Sequence, residues 1–369
     1  SKKIICIKYF FFSVFFFLLN KSAKSQNLDS TIVNLIEQEF SDSIYLVNKK
    51  NEYLKESRDS YNKGLILLNN KDYSEAIYHF NNAISIDSIF LEAYFSRAKC
   101  YEKSDVNLAI ADYSKIFMLD STDLSVLYLI ASLQLKSDYI LATEMYKRIL
   151  SLKDDEYKAL SQLGVLSFMD KKYESSENFF TKSLAINFNE YTLNDRGSCY
   201  RKLEKFDLAK DDYLSAISLN DNLPFIYSNL ASLYVKIGEV EKALDYYDLA
   251  ISKDYYYVLA YNNKASIFLN ENKFEKAKIE IDKALVVDVE YAPAFNNKGV
   301  FYHQAKKYKE AILAFDMAIQ LDIGYGKAYL NRGISKQIIR NEDGACSDWK
   351  RAEELGILIA KKYLSNDCE

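Results

Sequence analysis

Between Pro224 and Tyr257, apolar side chains recur at helical spacing at Tyr227, Ala231 and Tyr234, and again at Ala243, Tyr247 and Ala250. The break Ile237-Gly238-Glu239 separates the two sets and Asp254 closes the second, a pattern that predicts a helix, a tight turn and another helix. The pattern returns along the chain with a period of about 34 residues. One series of small residues runs through Gly64, Ala98, Ala131, Gly164, Gly197, Ala231, Ala265, Gly299 and Gly333. A second follows it across each break, at Ala76, Ala109, Ala142, Ser176, Ala209, Ala243, Ala277, Ala311 and Ala345. A third lies further along the second helix, at Ala83, Ile116, Ile149, Ser183, Ala216, Ala250, Ala284, Ala318 and Ala352. Small residues at the first two series let paired helix axes approach closely, while the large residues between them fill the space between layers. Helices this short do not persist alone in water, so each hairpin needs its neighbours.

The chain therefore reads as one all-α array that grows by repetition, with no second core hidden in its 369 residues. Nine repeats are expected at 57–90, 91–123, 124–156, 157–189, 190–223, 224–257, 258–291, 292–325 and 326–356. Residues 26–56 carry Ile32, Leu35, Ile36 and Phe40 at helical spacing, followed by the polar break Ser41-Asp42-Ser43, and read as an N-terminal capping helical segment. At the other end, residues 357–369 read as a C-terminal capping helix in which Ile357, Leu358, Ile359, Ala360 and Leu364 cover the last hairpin.

The large position opening the first helix is held by Tyr94, Leu127, Leu160, Leu193, Tyr227, Tyr261, Phe295 and Tyr329. The second helix carries Phe80, Tyr113, Tyr146, Phe180, Tyr213, Tyr247, Phe315 and Trp349, with Ile281 once in their place. With the small-residue lattice, this resembles the tetratricopeptide repeat. The resemblance implies a right-handed superhelical solenoid with a concave groove lined by first helices, where protein or peptide partners bind. The family's proline after the second helix is missing; Asp87, Asp120, Asp254, Asp288 and Asp322 close the hairpins without it, and repeats two and three lose one residue of the inner turn.

Asn62-Lys63-Gly64, Asn263-Lys264-Ala265, Asn297-Lys298-Gly299 and Asn331-Arg332-Gly333 resemble an exported bacterial subtype with Asn, a base and a small residue. Arg97, Arg196 and Arg332 are matched on the second helix of their own hairpins by Asp112, Asp212 and Asp348, and Lys264 by Glu280. The near-constant spacing predicts ion pairs tying the helices of one hairpin.

Lys2 and Lys3 precede an apolar run from Tyr9 to Leu19, and Ala23-Lys24-Ser25 supplies the small residues of a cleavage site, so residues 1–25 read as a signal peptide. Eleven apolar residues are too few to span a bilayer, and no other stretch supplies a transmembrane anchor. Cleavage would remove five of the 48 basic side chains and none of the 52 acids, leaving a net charge near −9. Such a surface, without a basic stripe, argues against nucleic acid as a partner. Cys346 lies ten residues before Gly356 and Cys368 twelve after it; if Gly356 ends one helix and an antiparallel helix follows, the two sulfurs meet, and a disulfide is expected. His79 and His303 have no Cys or His beside them, so no metal and no cofactor is expected.

No phosphate loop, dinucleotide fingerprint, metalloprotease helix or serine elbow is present, and the reading is of a non-enzyme. The candidate binding residues are Asn62, Asn229, Asn263, Asn297 and Asn331, which share one slot on successive first helices, with Asn262 and Asn296 beside two of them. Their amides can bond an extended peptide backbone, or serve packing alone. The position before the slot is never Lys, which argues against the family's carboxylate clamp. It holds Tyr61, Phe95 and Tyr128 at the N-terminal end, an aromatic run that offers the alternative of glycan or small-molecule binding. The expected function is a protein-interaction scaffold, periplasmic or extracellular.

Overall fold

The computed structural model describes residues 30–135 and 138–368. The signal-peptide reading of residues 1–25 lies outside them, as do the side chains of Ile32, Leu35 and Ile36. Among the described residues there are nineteen helices and no strand, and no helix is long and apolar enough to cross a membrane. They form two compact units that divide between Met145 and Tyr146. First and second helices alternate, beginning with Ser30–Asn69 and Tyr73–Ile86, and ending with Gly326–Ile338 and Glu342–Glu354.

The first helix runs unbroken from Ser30 to Asn69, so Ser41-Asp42-Ser43 is helical and not a break. Phe40 is exposed there, and the helix packs on Tyr73–Ile86 through its C-terminal part, where Tyr61, Leu65 and Leu68 join Phe80.

Within each hairpin the small-residue lattice is the contact surface. A Cβ on Gly64 would lie 2.6 Å from the Phe80 ring, one on Gly164 2.5 Å from Phe180, and one on Gly333 2.5 Å from Trp349. Gly299 meets Phe315 in the same way. These rings are essentially fully buried, so a methyl group there would displace the side chain that fills the hairpin.

The turn inside most hairpins follows one design. The second residue after the first helix adopts a left-handed conformation at Lys71, Lys171, Glu204, Gly238, Asn272, Lys306 and Arg340. In the turn at Gly238, its N–H donates to the Val235 carbonyl and that of Glu239 to the Tyr234 carbonyl, the paired bonds of a Schellman motif. The shorter turn of repeat two, Glu102 to Asp105, has no left-handed residue and is closed by the Asp105 carboxylate, which accepts from the N–H groups of Asn107 and Leu108.

Between repeats, the residues standing before the family's missing proline make the turn themselves. Asp87, Asp120, Asp254, Asp288 and Asp322 each accept, through Oδ1, the backbone N–H two residues on. Asn220 does the same for Asn222.

At the C-terminal end Gly356 takes φ +84°, and the N–H groups of Gly356 and Ile357 return to Glu353 and Ala352 in a further Schellman motif. The capping helix begins at Ala360 and ends at Asp367. Ala360, Ile357 and Leu364 pack on the last hairpin and Tyr363 stacks on Trp349 at 5.0 Å. Leu358 and Ile359, expected in that contact, are exposed because they lie in the turn before the helix. Cys346 and Cys368 are joined by a disulfide with their Cα atoms 5.8 Å apart, tying the cap to the last second helix.

Candidate functional site

The candidate residues sit on the first helices. In the unit after Met145, helix Glu190–Lys202 packs against the first helices Tyr157–Met169 and Pro224–Lys236, and Ala292–Gln304 against Val258–Asn270 and Gly326–Ile338, so first helices share one face.

On that face the asparagines bond one another across repeats. The Asn229 amide donates to Asn194 Oδ1 at 2.8 Å, Asn297 to Asn262 Oδ1 at 2.8 Å and to its carbonyl at 3.1 Å, and Asn331 to Asn296 Oδ1 at 2.9 Å. The slot of one repeat thus meets the preceding position of the repeat before it. Asn194, Asn262, Asn296 and Asn297 are buried, whereas Asn229, Asn263 and Asn331 are half-buried and Asn62 is exposed. Asn263 is turned to the Tyr247 hydroxyl. The ladder is first a stacking device. Asn229 and Asn331 each donate once to it, and the buried Asn297 donates twice.

The aromatic candidates are engaged as well. Tyr61 packs on Phe80 at 5.7 Å and on Phe90 at 4.9 Å, and its hydroxyl meets Ser96 Oγ at 3.4 Å. Phe95 sets its edge against Tyr113 with Lys99 over its ring. Tyr128 is half-buried. Tyr61 serves packing, whereas Phe95 remains exposed beside its edge contact.

The basic slot holds its acids. Arg97, Arg196 and Arg332 each form two-pronged contacts with Asp112, Asp212 and Asp348, at 2.5 to 2.8 Å. Each also reaches back to the preceding second helix, at Asn81, Thr181 and Asp316, so one guanidinium ties two repeats as well as two helices. Lys264 forms the expected ion pair with Glu280, at 3.6 Å, and a closer one with Asp248 of the repeat before, at 2.5 Å. A lysine carries one point charge, and here it is drawn to the nearer, more exposed carboxylate. Asp248 precedes Lys264 by the same interval at which Glu280 follows it, so this partner was readable in the sequence.

Two charged groups on this face escaped the sequence reading. Asp195 takes the asparagine slot in repeat five, where burial pushes its carboxyl up from 3.8 to about 6. Arg201 follows at a slot that is apolar at Leu68, Phe168, Val235 and Leu269. The departures from the repeat pattern at these positions were the available signal. Nearby, the Tyr213 hydroxyl meets Ser198 Oγ and the Tyr247 hydroxyl meets Ser232 Oγ, both at 3.0 Å. Among the described residues no group of three or more His, Cys, Asp or Glu is placed to hold a metal, and His303 bonds Ser335 Oγ through Nδ1 at 2.8 Å.

Models of the tetratricopeptide repeat match residues 60–90, 191–223, 226–255 and 262–325. The chain is a tetratricopeptide repeat protein. Its fold is similar to that of a tetratricopeptide repeat protein from Parabacteroides merdae, with a TM-score of 0.56 and 16% identity over 66% of this chain and 97% of the other. It is also similar to the APC/C hetero-tetramer Cut9-Hcn1, with a TM-score of 0.54 and 14% identity over 85% of this chain and 76% of the other. At such identities the likeness is one of fold. No curated protein matches the sequence.

Proposed function

We propose that this tetratricopeptide repeat protein is a non-catalytic scaffold that holds extended segments of partner proteins along the first-helix face. The repeat family supports a role in protein interaction. The observation that carries the finer reading is the strip of half-buried hydrogen-bonding side chains on successive first helices, Ser198, Asn229, Ser232 and Asn263. Ser198 and Ser232, and likewise Asn229 and Asn263, are one repeat apart, and such groups can bond a backbone without reading its sequence closely. The packing of Tyr61 against Phe80 and Phe90 weighs against the glycan alternative.

The reading places the chain outside the cytosol, in the bacterial envelope or secreted. The Cys346–Cys368 disulfide supports this, because cytosolic thiols are kept reduced, as does the basic start and apolar run from Tyr9 to Leu19.

Panning the chain against a library of random short peptides tests the function. Retained peptides that lose affinity severalfold to an Asn263→Ala, Ser232→Ala variant of unchanged stability support it. If no peptide is retained, or if affinity ignores those two side chains, the reading fails.

A further inference from the structure

The helix Ser30–Asn69 has 40 residues, and the second helix it packs on, Tyr73–Ile86, has 14. Its first buried side chain among the described residues is Ser57, whose hydroxyl donates to the Ala83 carbonyl. Over residues 38–56 no side chain is buried, a stretch of roughly 28 Å at the rise of an α-helix. That stretch is not uniformly polar. Phe40, Ile44, Val47 and Leu54 follow at intervals of four, three and seven residues, the spacing of a coiled-coil seam with Asn51 in the remaining place. Phe40, Ile44 and Leu54 are exposed and Val47 is half-buried. A lone helix is marginal in water, and an apolar stripe along it calls for a neighbour.

The stripe leads into a cleft of about 550 Å³ where the helix meets the first turn between repeats. Leu54, Ile89 and Phe90 give the cleft its apolar wall. Lys55 and Arg58 line it from the helix, and Asp87 and Glu92 from the turn side.

We propose that this stripe is the interface of a homodimer, in which the helices Ser30–Asn69 of two copies pair antiparallel with the two-fold axis near Val47. Charge decides the direction. Residues 38–47 carry Glu39 and Asp42 and no base, whereas residues 48–58 carry Lys49, Lys50, Lys55 and Arg58 against Glu52 and Glu56. In a parallel pair, Lys50 of one helix flanks the seam beside Lys55 of the other, and the acidic ends lie together. An antiparallel pair lays the acidic part of each helix along the basic part of the other. Phe40 and Leu54 stand seven residues either side of Val47, so the axis brings them to one height. Phe40 of each copy then fills the cleft of the other beside Leu54 and Ile89, and Glu39 falls level with Lys55. The same patch serves both copies, as a two-fold interface requires.

Sedimentation of the whole chain over a concentration series tests the proposal. It expects a dimer whose association Val47→Asp weakens by about tenfold or more. Tyr45→Asp, on another face of the same helix, should leave the dimer unchanged. Neither side chain is buried, so both variants should keep the helicity and melting of the array. Cysteine pairing reads the direction. Phe40→Cys and Leu54→Cys chains, mixed and oxidised, should link one variant to the other, whereas a parallel pair links each variant to itself. A chain that stays monomeric up to about 100 μM would overturn the proposal and leave the stripe to a different partner. A dimer indifferent to Val47→Asp, or one whose variants link only to themselves, would overturn it as well.

Discussion

The side-chain amide of Asn331 donates to Oδ1 of Asn296 across 2.9 Å, joining the first helices of two successive repeats. The same relation links Asn297 with Asn262 and Asn229 with Asn194, so what looks in sequence like a row of free amides is a set of rungs. Asn297 makes two of these bonds and is buried. Asn297→Ala should therefore destabilise the array by about 1–3 kcal/mol, because Asn262 is left buried with an unmet acceptor. Asn263→Ala, at a half-buried position, should cost less than about 1 kcal/mol. Urea unfolding followed by circular dichroism compares the two, and equal effects would contradict the ladder.

Trp349 stands against Gly333, whose added Cβ would fall 2.5 Å from the indole. Gly197 faces Tyr213 with slightly more room, 2.9 Å. Gly333→Ala should cost about 1–3 kcal/mol by overpacking, and Gly197→Ala less. The chain has one tryptophan, so its fluorescence reports the last hairpin directly, and Gly333→Ala should shift its emission.

The inner turns hold lysine or arginine where the backbone is left-handed, at Lys306 with φ 60° and Arg340 with φ 64°. Gly238 occupies the same slot with φ 85°, and a Cβ there would meet open space. Strain in these side-chain-bearing turns is conformational, so Lys306→Gly should stabilise its hairpin by up to about 1 kcal/mol, and Gly238→Ala should cost a similar amount. Melting temperatures of the two variants should move in opposite directions.

Asp195 gives a pH-dependent prediction. Its carboxyl is raised by burial from 3.8 to about 6, so between those values the folded chain holds the proton more tightly than the unfolded one. Stability from this group is present below pH 3.8 and is lost as pH rises through 6. Asp195→Asn should thus stabilise the chain at pH 7.5 by on the order of 2 kcal/mol, and the gain should vanish near pH 4. A gain that persists at pH 4 would place its origin in packing.

The hairpins were legible because they rest on one rule, a small residue on the first helix facing a large one at a fixed interval on the second, repeated from Gly64 and Phe80 to Gly333 and Trp349. The Arg–Asp pairs and the Cys346–Cys368 pair could be placed from spacing for the same reason, since helix rise converts residue number into height. The site was less legible. Whether an asparagine amide faces a ligand or the next repeat depends on the offset between adjacent helices, which the repeat period does not carry. Leu358 and Ile359 were misread because apolar composition suggested a buried face, whereas the Gly356 turn delays the helix and leaves them outside it. Arg201 and Asp195 stood out in the sequence only as departures from the repeat pattern.

The central claim is that partners bind along the first helices. Hydrogen–deuterium exchange of the chain with and without a selected peptide tests it most directly. The account predicts added protection in Glu190–Lys202, Pro224–Lys236 and Val258–Asn270, with the second helices Phe206–Leu219 and Val240–Lys253 little changed. Protection confined to those second helices, or to the turns between repeats, would contradict it.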